Sequence, residues 1–126
     1  MWFAVDNFFD QNLNDKLEVL APHKGYPYGY FMNETESLAK SKGQNTPPDL
    51  KESFNGGPLK RPVQIKNKDA LNFCYVPTIW PKIKNFKQFW SSYYKEMEKL
   101  ADRIMKVFAY ALNLDQNYFS EYIDNP

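Results

Sequence analysis

Histidine and cysteine are almost absent from this chain, which has one of each in 126 residues, His23 and Cys74. Iron or zinc sites built on two histidines are therefore excluded within one copy, including the facial triad of two histidines and a carboxylate. A single cysteine excludes an internal disulfide and suits a reducing compartment, so a cytoplasmic location is expected. Charge of one sign is also lacking. Sixteen basic residues face fifteen acidic ones, for a net charge of +1, and nucleic-acid binders carry a basic excess or stripe. The nearest approach, Lys60, Arg61, Lys66 and Lys68, is interrupted by Pro62 and Asp69 and reads as a solvated loop. No apolar run approaches the roughly 20 residues of a membrane span. No basic segment leads into an apolar stretch at the start, so no secretory signal is read. Neither nucleic acid nor membrane is expected as a partner. The glycosylation acceptor Asn33-Glu34-Thr35 is then a chance match.

Catalytic constellations are equally scarce. Cys74 and His23 could in principle make a nucleophile and its base, but Cys74 lies between Phe73 and Tyr75 and reads as a small buried apolar residue. Gly56-Gly57 lacks the glycine spacing and the lysine of a phosphate-cradling loop. Asp49 and Glu52, three apart, suit turn capping before acid–base work, and Lys51-Glu52 suits a structural ion pair.

Aromatic residues are what the chain has in excess: Phe 10, Tyr 9 and Trp 3, or 17%, within a hydrophobic fraction of 43%. Such a composition folds, and at this length a modest core is available. The clearest element is a long amphipathic helix near the C-terminus. Phe86, Phe89, Trp90, Tyr93, Met97, Leu100, Ala101, Ile104, Met105, Phe108 and Leu112 recur at steps of three and four, a stripe read as core. Asn85 is its candidate N-cap, with Gln88 three residues on, and Asn113 its left-handed end. Asp115 caps a short helix reaching about Tyr122. The first twenty residues give a weaker helical signal, with Trp2, Val5, Phe8 and Phe9 on one side. Asn12 or Asn14 then starts a further turn carrying Leu13, Leu17 and Leu20. Between these ends, Pro22, Gly25, Pro27, Gly29, Gly43, Pro47 and Pro48 break any periodicity. A short strand is expected at 51–55, ended by Gly56-Gly57-Pro58, with a second loop from Leu59 to about Lys84. The expected class is α+β, mainly helical, with long irregular loops. Irregular segments of this length are uncommon in a self-sufficient domain and suit a piece that packs on something else.

Six stretches, in order, resemble one family. They are Phe8-Phe9 followed by Asp15-Lys16; Tyr28-Gly29-Tyr30-Phe31; Glu36-Ser37-Leu38-Ala39; Pro47-Pro48-Asp49-Leu50-Lys51-Glu52-Ser53-Phe54-Asn55; Ile79-Trp80-Pro81; and Tyr93-Tyr94, Met97, Leu100, Ala101, Ala111-Leu112, Leu114 and Tyr118-Phe119. Together they look like the N-terminal region of the isopenicillin N synthase-like, Fe(II)- and 2-oxoglutarate-dependent oxygenases. The resemblance covers nearly the whole chain from about Phe3. It implies a helical scaffold, residues 1–126, around a catalytic jelly-roll barrel that this chain does not contain. In that family the barrel supplies His-x-Asp and a distal His for Fe(II), and an arginine for 2-oxoglutarate. Relative to the family the chain is expected to be truncated at both ends, which agrees with Met1 leading straight into Trp2-Phe3 without a polar cap. The implied partners are a missing or separate C-terminal barrel and a small-molecule substrate. Neither Fe(II) nor 2-oxoglutarate is expected to be bound by this chain alone. The segment around Tyr28 and Tyr30 and the strand ending at Asn55 would wall the substrate pocket, with Tyr30 offering a phenol and Asn55 an amide. The alternative is a stand-alone interaction or regulatory protein that docks on a separate barrel or another partner.

Overall fold

A computed structural model describes residues 2–33, 43, 47, 49–61 and 67–123. The expected stretch Glu36-Ser37-Leu38-Ala39, most of the Asn33-Glu34-Thr35 acceptor, Pro48, Pro62 and Lys66 lie outside them. The chain is a mainly helical α+β protein. Its elements in order are α1 (Trp2–Phe9), α2 (Leu13–Leu17), β1 (Gly29–Phe31), β2 (Ser53–Asn55), α3 (Lys68–Cys74), the long α4 (Phe86–Ala111) and α5 (Ser120–Ile123). They fall into two compact units, Trp2–Phe86 and the residues from Lys87 onward.

In the first unit, α1 buries Ala4 and Phe8, four residues apart and so on one face. Trp2, expected on that face, is 81% exposed. It precedes Ala4 by two positions, about 200° around the helix, and so lies away from the buried line. Asn12 caps α2: its backbone is extended and its side chain accepts from the Asp15 N–H at 3.1 Å. The chain then bridges in parallel from Leu20 to Tyr30, with the Tyr30 N–H donating to the Val19 carbonyl at 2.8 Å. β1 pairs antiparallel with β2, Gly29 opposite Asn55, Tyr30 opposite Phe54 and Phe31 opposite Ser53. β1 was not expected, since only its partner strand reads as one in sequence. Gly29 is required at its start: φ is +110°, and a Cβ would come 2.6 Å from the Val19 carbonyl oxygen.

The core of this unit is aromatic. Phe8, fully buried, meets Phe9, Tyr30, Phe54 and Phe86 with ring centroids 5.0, 5.8, 5.3 and 5.8 Å away. Phe54 in turn meets Phe86 at 5.2 Å and Trp80 at 6.1 Å. These edge-on and tilted arrangements are the ones aromatic quadrupoles favour. The loop expected from Leu59 to Lys84 is interrupted by α3. Asn67 starts it by accepting from the N–H groups of Asp69 and Ala70 at 2.8 and 3.2 Å. Because α3 buries none of its residues, Cys74 is exposed rather than buried as expected.

The second unit is dominated by α4, which at 26 residues is ~39 Å long. Its end is as expected. Asn113 is left-handed at φ 56°, its N–H donates to the Tyr110 carbonyl at 3.0 Å, and the Leu114 N–H donates to Ala109 at 2.9 Å. That bond pair is a Schellman motif. Asp115 then accepts from the Asn117 N–H at 2.8 Å ahead of α5. Its start is not as expected. Asn85 has φ 62°, whereas an N-cap is extended, and the Phe86 N–H closes a turn onto the Ile83 carbonyl. The apolar stripe also differs from the core expected of it. Phe86 is buried, but Phe89, Tyr93, Leu100, Ile104, Phe108 and Leu112 are all more than two-fifths exposed. Periodicity shows that a helix has an apolar face and is silent about what covers it. Among the described residues, no helix is long and apolar enough to cross a membrane.

Phe8→Ala is expected to lower the unfolding free energy by roughly 3–5 kcal/mol, the usual cost of emptying a buried aromatic site. Trp2→Ala is expected to stay within ~0.5 kcal/mol of the parent. Urea titrations of both variants check the contrast.

Candidate functional site

The polar centre of the first unit is a carboxylate that receives two bonds on one oxygen. Glu52 Oε2 accepts from Lys16 Nζ at 2.8 Å and from the Tyr30 hydroxyl at 2.5 Å. The three residues come from α2, from β1 and from the extended approach to β2, so the network joins segments 36 and 22 positions apart. Lys16 is only 9% exposed. Its ammonium also donates to the Phe9 carbonyl at 3.2 Å and lies 5.7 Å from the centre of the Tyr30 ring. Burying a lysine is costly unless its donors are met, and here a carboxylate, a carbonyl and a ring face meet them. The expected Lys51–Glu52 pair does not form. Neighbours on an extended chain point to opposite sides, so Glu52 turns inward to Lys16 while Lys51 approaches Asp49 at 3.8 Å.

The electrostatics follow from this packing. Burial pushes the Tyr30 phenol up to about 12, helped by its bond to the Glu52 carboxylate. The hydrogen bond from Lys16, then that from Tyr30, holds the Glu52 carboxyl below its ordinary value. No described buried side-chain oxygen or nitrogen lacks a partner.

The three residues expected to wall a pocket lie on one hairpin but in different settings. Tyr30 is 2% exposed and its hydroxyl is engaged by Glu52, so its phenol acts inside the fold and is not presented to a substrate. Tyr28 is half-buried, and its hydroxyl donates to the Cys74 carbonyl at 2.6 Å, which fastens the approach to β1 onto the end of α3. Its ring rests on Gly57, where a Cβ would come 2.6 Å from the ring. Asn55 is exposed. It pairs with Gly29 in the sheet, one residue from the Tyr30–Phe54 pair, and so points to the other face. The residues that sequence reasoning did not assign to the site are Lys16 and Glu52 as mutual partners. Lys16 follows a helix cap and Glu52 precedes a strand, and nothing in either segment announces the other.

His23 is the one histidine, with its ring edge-on to Tyr26 at 5.4 Å. Among the described residues no group of three or more His, Cys, Asp or Glu side chains is disposed around a possible metal position. The chain matches no protein-family model, no curated protein and no solved structure.

Two outcomes are expected of the network. Lys16→Met should destabilise the fold by roughly 1–3 kcal/mol, because it strips a partly buried carboxylate of its charged donor. Lys16→Met combined with Glu52→Leu should recover part of that loss, since an apolar pair leaves no stranded charge. Chemical denaturation of the single and double variants reads both. The pH dependence has two limbs. Glu52 is lowered on folding, so its contribution is full above the unfolded value of 4.5 and is lost as pH falls through the lower folded value. Tyr30 is raised on folding, so its contribution is full below 10.0 and is lost as pH rises toward about 12. Denaturation midpoints against pH should therefore fall on both sides, with Tyr30→Phe flattening the alkaline limb and Glu52→Gln the acid one.

Proposed function

We propose that this chain is the N-terminal scaffold of an Fe(II)- and 2-oxoglutarate-dependent oxygenase acting on a small molecule. It is not catalytic by itself, and the metal and co-substrate are held by a jelly-roll barrel that is joined to it or separate from it. The observation that carries this reading is the convergence of the resembling residues. Phe8 and Phe9, Lys16, Tyr30, Glu52 and Phe54, and Trp80 come from four separate stretches of sequence. They meet in one aromatic core around one ion pair. Residues scattered over a chain that pack into a single centre behave as one structural signature. In this reading Tyr30 holds the hairpin while Tyr28 and Asn55 shape the wall it offers, with Asn55 supplying an exposed amide. The enzyme works in the cytoplasm, in keeping with the free thiol at Cys74.

A second reading is favoured by α4. Its half-exposed stripe from Phe89 to Leu112 suits an interaction protein that docks on a separate barrel or on another partner.

The transcript carrying these codons tests the first reading. It, or a neighbouring frame, is expected to encode His-x-Asp with a distal His. Co-expression of that product with this chain should yield a complex that retains iron and converts 2-oxoglutarate to succinate. A transcript and neighbourhood without such a barrel, with the short chain abundant in cells, would replace the first reading by the second.

A further inference from the structure

Between α2 and β1 the chain forms a loop around a cleft of about 290 Å³, within the Trp2–Phe86 unit. That volume is at the lower edge of the ~300–1,000 Å³ of small-molecule sites, enough for a single ring with a short substituent. Leu20, Tyr26, Phe31 and Met32 give it a largely apolar lining, and His23 and Lys24 add the basic groups. No carboxylate is among the described residues that line it.

The loop is held at several points. The Tyr26 N–H donates to the His23 carbonyl at 3.1 Å and Gly25 has φ +88°, the geometry of a type II turn with Lys24 and Gly25 at its centre. The Tyr26 hydroxyl donates to the Pro77 carbonyl, and the Tyr26 ring stands edge-on to His23. At the base, the Ala21 N–H donates to the Tyr30 carbonyl and the Tyr30 N–H to Val19. A cleft fixed in this way loses little conformational freedom when a ligand enters.

We propose that this cleft binds a small aromatic monocarboxylate. The ring would lie against Leu20, Phe31 and Met32, and the carboxylate would meet the Lys24 ammonium and the His23 imidazole. Charge complementarity selects the class. An apolar lining rewards a ring, and the basic groups on the rim reward an anion over a neutral or cationic molecule. The inference stands on the cleft's own residues and does not depend on the oxygenase reading, so either can fail without the other.

The test is a two-dimensional amide NMR titration of the whole chain with benzoate, benzyl alcohol and acetate in parallel. Benzoate is expected to give saturable shifts centred on Lys24, Gly25, Phe31 and Met32, with benzyl alcohol weaker and acetate silent. Lys24→Met, at an exposed position that leaves the fold intact, should weaken benzoate by about two- to fivefold, the yield of one exposed charge pair, and leave benzyl alcohol unchanged. Ala21→Trp should fill the cleft and abolish both. Absence of saturable benzoate binding, equal affinity for the alcohol, or shifts centred on another part of the chain would each overturn the proposal.

Discussion

One carboxylate oxygen organises the first unit. Glu52 Oε2 takes the ammonium of Lys16 and the hydroxyl of Tyr30, and in doing so fixes where α2, β1 and the approach to β2 must meet. An apolar cluster alone does not set such a register, because rings slide at small cost while a partly buried charge does not. The aromatic core around Phe8 supplies much of the burial. The ion pair states which alignment of the strands is the right one. The three-residue strands are too short to hold a register on ladder bonds alone, so this polar anchor gives the small sheet its definition.

The two units illustrate opposite relations between pattern and structure. In α4 beyond Phe86 the signals are local: apolar steps of three and four, i to i+3 and i to i+4 ion pairs such as Lys99–Glu96 and Lys106–Asp102, and a left-handed Asn113 to end it. The helix and its terminus were therefore legible in the sequence. The same holds for the Asn12 cap, a polar side chain answering an N–H three residues on. What was not legible is whatever depends on a distant partner. β1 is three residues among glycine and proline, and it is a strand only because Phe54 and its neighbours lie alongside. α3 announces itself in the sequence only through Asn67, whose side chain answers the Asp69 N–H two residues on. Asn85 illustrates an ambiguity of residue type, since asparagine serves both as an extended N-cap and as a left-handed turn residue.

Tyr28, Tyr30 and Asn55, singled out in the sequence, lie on or beside the pair of strands β1 and β2. The division of labour among them was hidden, because it turns on strand alternation and on Lys16, which lies far away in sequence. A tyrosine in a pattern offers a phenol. Only the packing shows that one phenol faces an internal carboxylate, another a backbone carbonyl, and that the amide of Asn55 faces outward.

The separations bridged by these contacts bear on how the chain reaches its fold. Tyr28 reaches Cys74 across 46 positions and Tyr26 reaches Pro77 across 51, whereas the helical backbone bonds of α4 join residues four apart. Loop closure must be completed before such distant contacts reward it, so non-local units assemble slowly and helices quickly. Contacts that span 46 and 51 positions therefore make the first unit's assembly depend on closing long loops, a demand that the local bonds of a single helix do not make.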